Sequence, residues 1–168
     1  MKEGKKWVDI SIENQTLTLW EGERPVYATL VSTGQDGMKD PRKSKATVRG
    51  TFRVKYKHVT VTMDSNEGLG GAEAKAADPS YGKTRRRGEG QYKLTDVPYV
   101  QYFEGGYALH AAYWHDVFGF ARSHGCVNMS PIDAHRVFSW SDPPVPEGWH
   151  AVLTGPDTPD GTTVHIHE

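Results

Sequence analysis

Residues 110–128 read HAAYWHDVFGFARSHGCVN. They contain the only cysteine of the chain, Cys126, and three of its eight histidines, His110, His115 and His124. A thiol set among imidazoles can be a nucleophile with its proton acceptor, a metal centre, or a thiol that is simply packed. The metal reading fits worst. Structural zinc sites use closed pairs such as C-x2-C or H-x3-H, a helical HExxH is absent, and the His-x-Cys of S-H-G-C chelates poorly in a strand or tight turn. No metal is expected. Packing has a strong claim, because cysteine is among the most buried residue types. Yet Cys126 follows Ser123-His124-Gly125 and stands just ahead of a helix start. Glycine at 125 lets the backbone turn sharply and leaves space beside the sulfur. Amides at such a turn can converge on an anion.

A nucleophilic thiol needs an imidazole to take its proton, a group to orient that imidazole, and N–H donors aimed at the developing oxyanion. Cys126 is the thiol, and the base could be His110, His115 or His124. His124 shares a face with Cys126 in an extended segment, being two residues away. His110 comes from a neighbouring strand end. The amides around Gly125 and Cys126 are the natural oxyanion donors.

The elements that must position these groups read as strands. WVDISI alternates, with Trp7, Asp9 and Ser11 on one face and Val8, Ile10 and Ile12 on the other. After the turn Glu13-Asn14-Gln15, TLTLW points Leu17 and Leu19 inward. PVYATLVST then continues as a strand to Thr33, which makes a meander. Residues 34–45 form a polar loop. Residues 50–61 predict one further strand, with Phe52, Val54 and Tyr56 on one side. VPYVQYF, the tight turn Glu104-Gly105-Gly106 and YALH form a hairpin that puts His110 at a strand end. Ser130-Pro131 with Asp133 predicts a helix from Pro131 to about Trp140, with Ile132, His135 and Phe138 near one face. WHAVLTG and TTVHIH read as two closing strands.

Residues 62–97 differ: much glycine, little periodicity, and a basic run at Arg85-Arg86-Arg87. Such a segment is a functional lid or a partly ordered surface insertion. Its arginines read as a solvated loop, and GLGG lacks the spacing of a phosphate loop.

The 168 residues suit a single domain over 1–168, and 18 glycines and 10 prolines favour a β-rich chain. Twenty basic against 21 acidic residues give a net charge of −1, so no field favours nucleic acid as a partner. No run reaches the roughly 20 apolar residues of a membrane span. The start, MKEGKKWVDIS, has no apolar stretch and is not a signal peptide. Two origins are consistent with this: a cytosolic protein, or a domain cut from a longer exported one. One cysteine excludes an internal disulfide without fixing the compartment.

The pattern H-x-S-H-G-C-V-N with a 12-residue spacer after His110 resembles the signature of the L,D-transpeptidase (YkuD-type) catalytic domain. The surroundings ISIENQTLTLWEG, LVSTG at 30–34, GTF at 50–52 and VPYVQYF–GYALH at 97–110 resemble it too, and 62–95 resembles it least. The resemblance implies a mainly β sandwich with one or two short helices and a long flap loop. It implies a cysteine enzyme that crosslinks bacterial peptidoglycan. Cys126 would attack the amide between the third residue and the terminal D-Ala of a tetrapeptide stem. His110 would be the base, oriented by the backbone carbonyl of Ala111. His124 and Gly125 would form the oxyanion loop, with Ser123 and Asn128 as supporting polar groups that bond either the turn's own backbone or the substrate. Arg122 would receive the stem carboxylate or brace the loop. His115 and Asp116 fall outside this set and read as a loop ion pair or hydrogen bond. Tyr113 and Trp114 line the groove or pack. His58, His135, His150, His165 and His167 read as ordinary strand or helix residues. No cofactor is implied. The partners are donor and acceptor stem peptides, with carbapenem β-lactams as inhibitors. The location is extracytoplasmic, an export signal or anchor having been removed. Hydrolysis of the same stem, or wall binding without chemistry, are the alternatives.

Overall fold

The computed structural model describes residues 5–64 and 93–168. In chain order the elements are β1 (Lys6–Ser11), β2 (Thr16–Glu21), β3 (Arg24–Leu30), β4 (Gly50–Arg53), β5 (Tyr56–Asp64), β6 (Lys93–Glu104), β7 (Tyr107–Ala111), β8 (Val127–Met129), α1 (Pro131–Trp140), β9 (Ala151–Leu153) and β10 (Thr163–His167). They form two five-stranded sheets, ordered β3-β2-β1-β10-β4 and β8-β7-β6-β5-β9. The fold is mainly β, as the alternating patterns predict.

The alternation explains the layers. Val8, Ile10, Leu17, Leu19, Val164 and Ile166 of the first sheet pack against Phe103, Leu109, Val127 and Met129 of the second, with Ala134 and Val137 of α1 closing one side. The opposite face of the second sheet builds a smaller cluster of Tyr56, Met63, Val97, Val100, Tyr102, Ala108 and Cys126. The thiol therefore belongs to the face that points away from the main core.

The meander β1-β2-β3 is antiparallel throughout. In contrast, β10 enters beside β1 in parallel, Val8 against Val164 and Ile10 against Ile166.

Three expectations are corrected. Residues 50–61 are not one strand: Val54 N–H donates to Thr162 O at 3.0 Å and Lys55 N–H to Tyr102 O at 2.8 Å, so consecutive amides belong to different sheets and the chain crosses between them. β3 ends at Leu30, because Ser32 and Gly34 leave its partner and make isolated bridges to Asn128 and Ser123. The buried helix face is Ala134, Val137 and Phe138, spaced i, i+3, i+4. Ile132 is 80% exposed, and His135 is also exposed, lying against the Tyr99 ring.

The helix start is as expected. Ser130 is the N-cap and its hydroxyl accepts from Asp133 N–H, with proline in the first turn. Of the segment expected as a lid, 62–64 and 93–97 lie in strands β5 and β6. Residues 65–92 lie outside the described residues, and the Arg85–Arg87 run with them.

Candidate active site

Strands β7 and β8 run parallel, with Leu109 beside Val127, His110 beside Asn128 and Ala111 beside Met129. Side chains alternate along a strand. Because Leu109, Val127 and Met129 fill the main core, His110 and Asn128 point to the other face, where Cys126 also lies. The pairing of two short strands thus brings His110 and the residues around Cys126 together.

The imidazole of His110 is buried and its Nδ1 is 2.9 Å from the Ala111 carbonyl oxygen. A carbonyl can only accept, so Nδ1 carries the proton and Nε2 is left with its lone pair. Cys126 is 8% exposed, and its Sγ lies 3.7 Å from the Gly106 carbonyl oxygen.

The turn before Cys126 is held by its own backbone. Ser123 Oγ accepts from Gly125 N–H at 3.0 Å and donates to the Cys126 carbonyl. The Ser123 hydroxyl is thus occupied by backbone at both ends. The Gly125 amide is engaged by the same hydroxyl. Gly125 has φ +125°, and a Cβ there would meet Tyr107 Cε1 at 2.9 Å.

Further support comes from distant segments. Thr47 Oγ1 donates to the Gly125 carbonyl at 2.8 Å and accepts from Gly34 N–H at 2.8 Å. The Thr33 carbonyl accepts from the amides of Arg122 and Ser123, both at 2.9 Å. Thr33 is itself gripped by buried Gln15, whose Oε1 accepts from Thr33 N–H while its Nε2 donates to Thr33 Oγ1.

These residues open onto a cleft of about 240 Å³ lined by Met63, Leu94, His110, Trp114, His115, Arg122, Ser123, His124, Cys126 and Asn128. Met63, Leu94 and Trp114 form its apolar wall. Trp114 also packs against the His110 ring, centroids 5.9 Å apart, so it both lines the groove and braces the imidazole. The exposed Arg122 guanidinium makes no hydrogen bond or ion pair among the described residues and is the cationic group of the cleft rim. His115 Nε2 lies 3.3 Å from Asn128 Nδ2, and Asp116 acts on the ring through its charge. Among the described residues no group of three or more His, Cys, Asp or Glu side chains is placed to hold a metal ion.

Sequence reasoning missed Gln15, Thr33 and Thr47, which support the turn, and Met63 and Leu94, which wall the cleft. Gln15 gave a weak signal, a polar residue between two strands that the structure places at φ 53° and buries. Met63 and Leu94 gave none, sitting at the edges of a segment without periodicity.

A family model described as the L,D-transpeptidase catalytic domain matches residues 5–166. No curated protein matches the chain. Among solved structures, the fold is similar to an L,D-transpeptidase from Mycobacterium smegmatis at 24% identity and TM-score 0.65, over 98% of this chain and 59% of that one. It is similar to the L,D-transpeptidase LdtMt1 in complex with imipenem at 22% identity and TM-score 0.63, over 96% and 58%. It is also similar to the catalytic domain of the Enterococcus faecium L,D-transpeptidase at 17% identity and TM-score 0.60, over 99% and 100%. The chain thus spans less than two thirds of the first two and the whole of the third.

Proposed function

Because the chain belongs to the L,D-transpeptidase catalytic domain family, we propose that it is a cysteine acyltransferase that forms 3→3 crosslinks in peptidoglycan. The observation that carries this reading is the 2.9 Å contact of His110 Nδ1 with the Ala111 carbonyl, in a cleft shared with Cys126. It leaves Nε2 as the basic atom of an oriented imidazole beside the only thiol.

His110 Nε2 takes the thiol proton, and Sγ attacks the carbonyl carbon of the third stem residue. The oxyanion forms against the backbone of the His124–Cys126 turn. The imidazolium then protonates the departing amine and free D-Ala leaves, with the acyl group held as a thioester. The side-chain amine of a second stem attacks the thioester and gives its proton to His110. Sulfur leaves as the thiolate, and a new amide joins the two stems. Side chains and backbone perform every step, and no cofactor is called for. Arg122 at the rim is the proposed partner of a stem carboxylate. Residues 1–168 are read as one catalytic domain. Carbapenem β-lactams are expected to acylate Cys126, a reading supported by the similarly folded enzyme in complex with imipenem. The proposed location is extracytoplasmic, where peptidoglycan lies. No helix among the described residues is long and apolar enough to cross a membrane.

The test is incubation with purified disaccharide-tetrapeptide and mass spectrometry of the products. A crosslinked dimer lacking one D-Ala, absent with Cys126→Ala, is expected. Free tripeptide alone would make the protein an L,D-carboxypeptidase, and unchanged tetrapeptide with an unreactive thiol would make it a wall-binding module. His110→Ala should lower turnover by roughly 10²–10⁴-fold, the usual share of a general base. A loss below about tenfold would move the base elsewhere.

A further inference from the structure

His115 takes no part in the chemistry just described, yet it lines the same cleft. Its ring is wedged between neighbours, 4.9 Å from Phe118 and 6.2 Å from Trp114 between centroids. Its Nε2 faces Asn128 Nδ2 at 3.3 Å. An amide NH₂ has protons to give and no lone pair to receive one. His115 Nε2 is therefore unprotonated, and the ring proton sits on Nδ1, a buried atom without a well-formed hydrogen bond.

The surroundings favour this neutral ring. Burial, and after it the Arg122 guanidinium, holds the imidazole pKa below its ordinary 6.5. Asp116 and a backbone contact with Val117 pull the other way, and His110 adds to the lowering. From the facing turn and β8 the neighbours are His124, Cys126 and Asn128, and from β5 and β6 the uncharged Met63 and Leu94. Asn128 is 4% exposed, and its Oδ1 accepts no hydrogen bond among the described residues.

We infer that His115 is a positioning residue: it fixes the Asn128 side-chain amide so that Oδ1, and not Nδ2, faces the cleft and accepts a backbone N–H of the bound stem peptide. The inference rests on reading the cleft as the stem-peptide site. Its consequence is a polarity switch. A protonated His115 becomes a donor at Nε2, and the Asn128 amide must turn over to meet it. Nδ2 then faces the cleft, and a donor meets the donor of the peptide. Acid would thus weaken peptide capture through Asn128.

The experiment combines one spectroscopic and two kinetic readouts on the full chain. In ¹⁵N-labelled protein, the Asn128 side-chain NH₂ resonances are followed against pH together with the His115 ring. A common midpoint is expected, and Asn128 signals that ignore the ring titration would overturn the inference whatever the enzyme's activity. Turnover of disaccharide-tetrapeptide is then compared in His115→Gln and His115→Phe. Gln offers an acceptor that does not titrate, so its KM at neutral pH should stay within about threefold of the parent. The acid limb of its kcat/KM should lose the slope of one proton. Phe keeps the ring packing but removes the acceptor, so KM should rise about tenfold, the scale of one lost hydrogen bond, with kcat nearly unchanged. Iodoacetamide alkylation of Cys126 should follow the same pH curve in all three proteins. A parental KM and acid limb in His115→Phe, or an equal loss in both variants, would overturn the positioning role. A wild-type protein that alkylates but never turns over the peptide would instead overturn the proposed reaction, and the resonances would still decide the coupling.

Discussion

At Gly125 the backbone conformation decides which residue fits. Its φ of +125° is closed to ordinary side chains, and the Tyr107 ring occupies the volume a Cβ would need. Gly125→Ala must therefore shift either the turn or the tyrosine, and the turn carries Cys126. The expected cost is on the order of 1–3 kcal/mol of stability. Turnover should fall by roughly 10²-fold, because a displacement near 1 Å at a reacting atom has that effect. Urea unfolding and tetrapeptide turnover measure the two, and a variant with parental turnover would show that the turn tolerates another shape. At this scale much was legible. S-H-G-C pointed to the thiol, and the strand pattern of YALH placed His110 at the end of β7. The partnership of His115 with Asn128 was not legible, since Asp116 is the nearer partner in sequence and only the β7–β8 pairing brings Asn128 within reach.

Among elements, the site depends on segments that are remote along the chain. Thr47, 13 positions from Gly34 and 78 from Gly125, joins the two through one hydroxyl that accepts from the first and donates to the second. Thr47→Val keeps the shape and leaves a buried N–H and a buried carbonyl unpaired. It should cost about 1–3 kcal/mol and reduce turnover, and Thr47→Ser should restore both. If Val matched the parent in thermal unfolding and turnover, the bridge would carry no load. A second connection fixes α1 to β5. Buried Lys57 donates from Nζ to the carbonyls of Phe138 and Ser141, at 2.6 and 2.7 Å, and lies 4.5 Å from the Phe138 ring centroid. It satisfies carbonyls that a helix end leaves without partners. Burial pushes the Lys57 pKa from 10.5 down to about 8. A base whose pKa is lower in the folded state binds fewer protons there than in the unfolded chain, so stability rises with pH between the two values. The charged form thus costs on the order of 3 kcal/mol below about pH 8, and that cost is relieved as pH climbs to about 10.5. Denaturant titrations of the parent and Lys57→Met at several pH values isolate this effect. The stability difference should move in the parent's favour across that window, and parallel curves would reject it. Periodicity in β5 gave no hint of a lysine facing inward, because its partner is a helix end 81 residues away.

For the whole molecule, composition and alternation were enough to recognise a mainly β protein, and the face assignments of β1 and β2 hold because each core residue there alternates without interruption. The resemblance implied a sandwich, but the point where the chain crosses from one sheet to the other was hidden. Residues 50–61 alternate smoothly through Val54, and only the switch of partners from Thr162 to Tyr102 shows where one sheet ends and the other begins. The pairing of β10 with both β1 and β4 was also beyond the reach of a local pattern, since it joins opposite ends of the chain. Removal of residues 163–168 should therefore abolish cooperative unfolding and not merely lower its midpoint, as calorimetry would show. A truncated chain with a sharp transition would contradict the central role of β10.

The same parallel pair sets the order of events during synthesis. Val8 has β2 beside it early but has to wait for Val164 before its second neighbouring strand exists, and contacts of such long sequence separation form late and slowly. A ribosome that has released three quarters of this chain has released nothing able to close the first sheet. The first sheet therefore stays open until β10 has been made. The fold becomes complete only when β10 arrives.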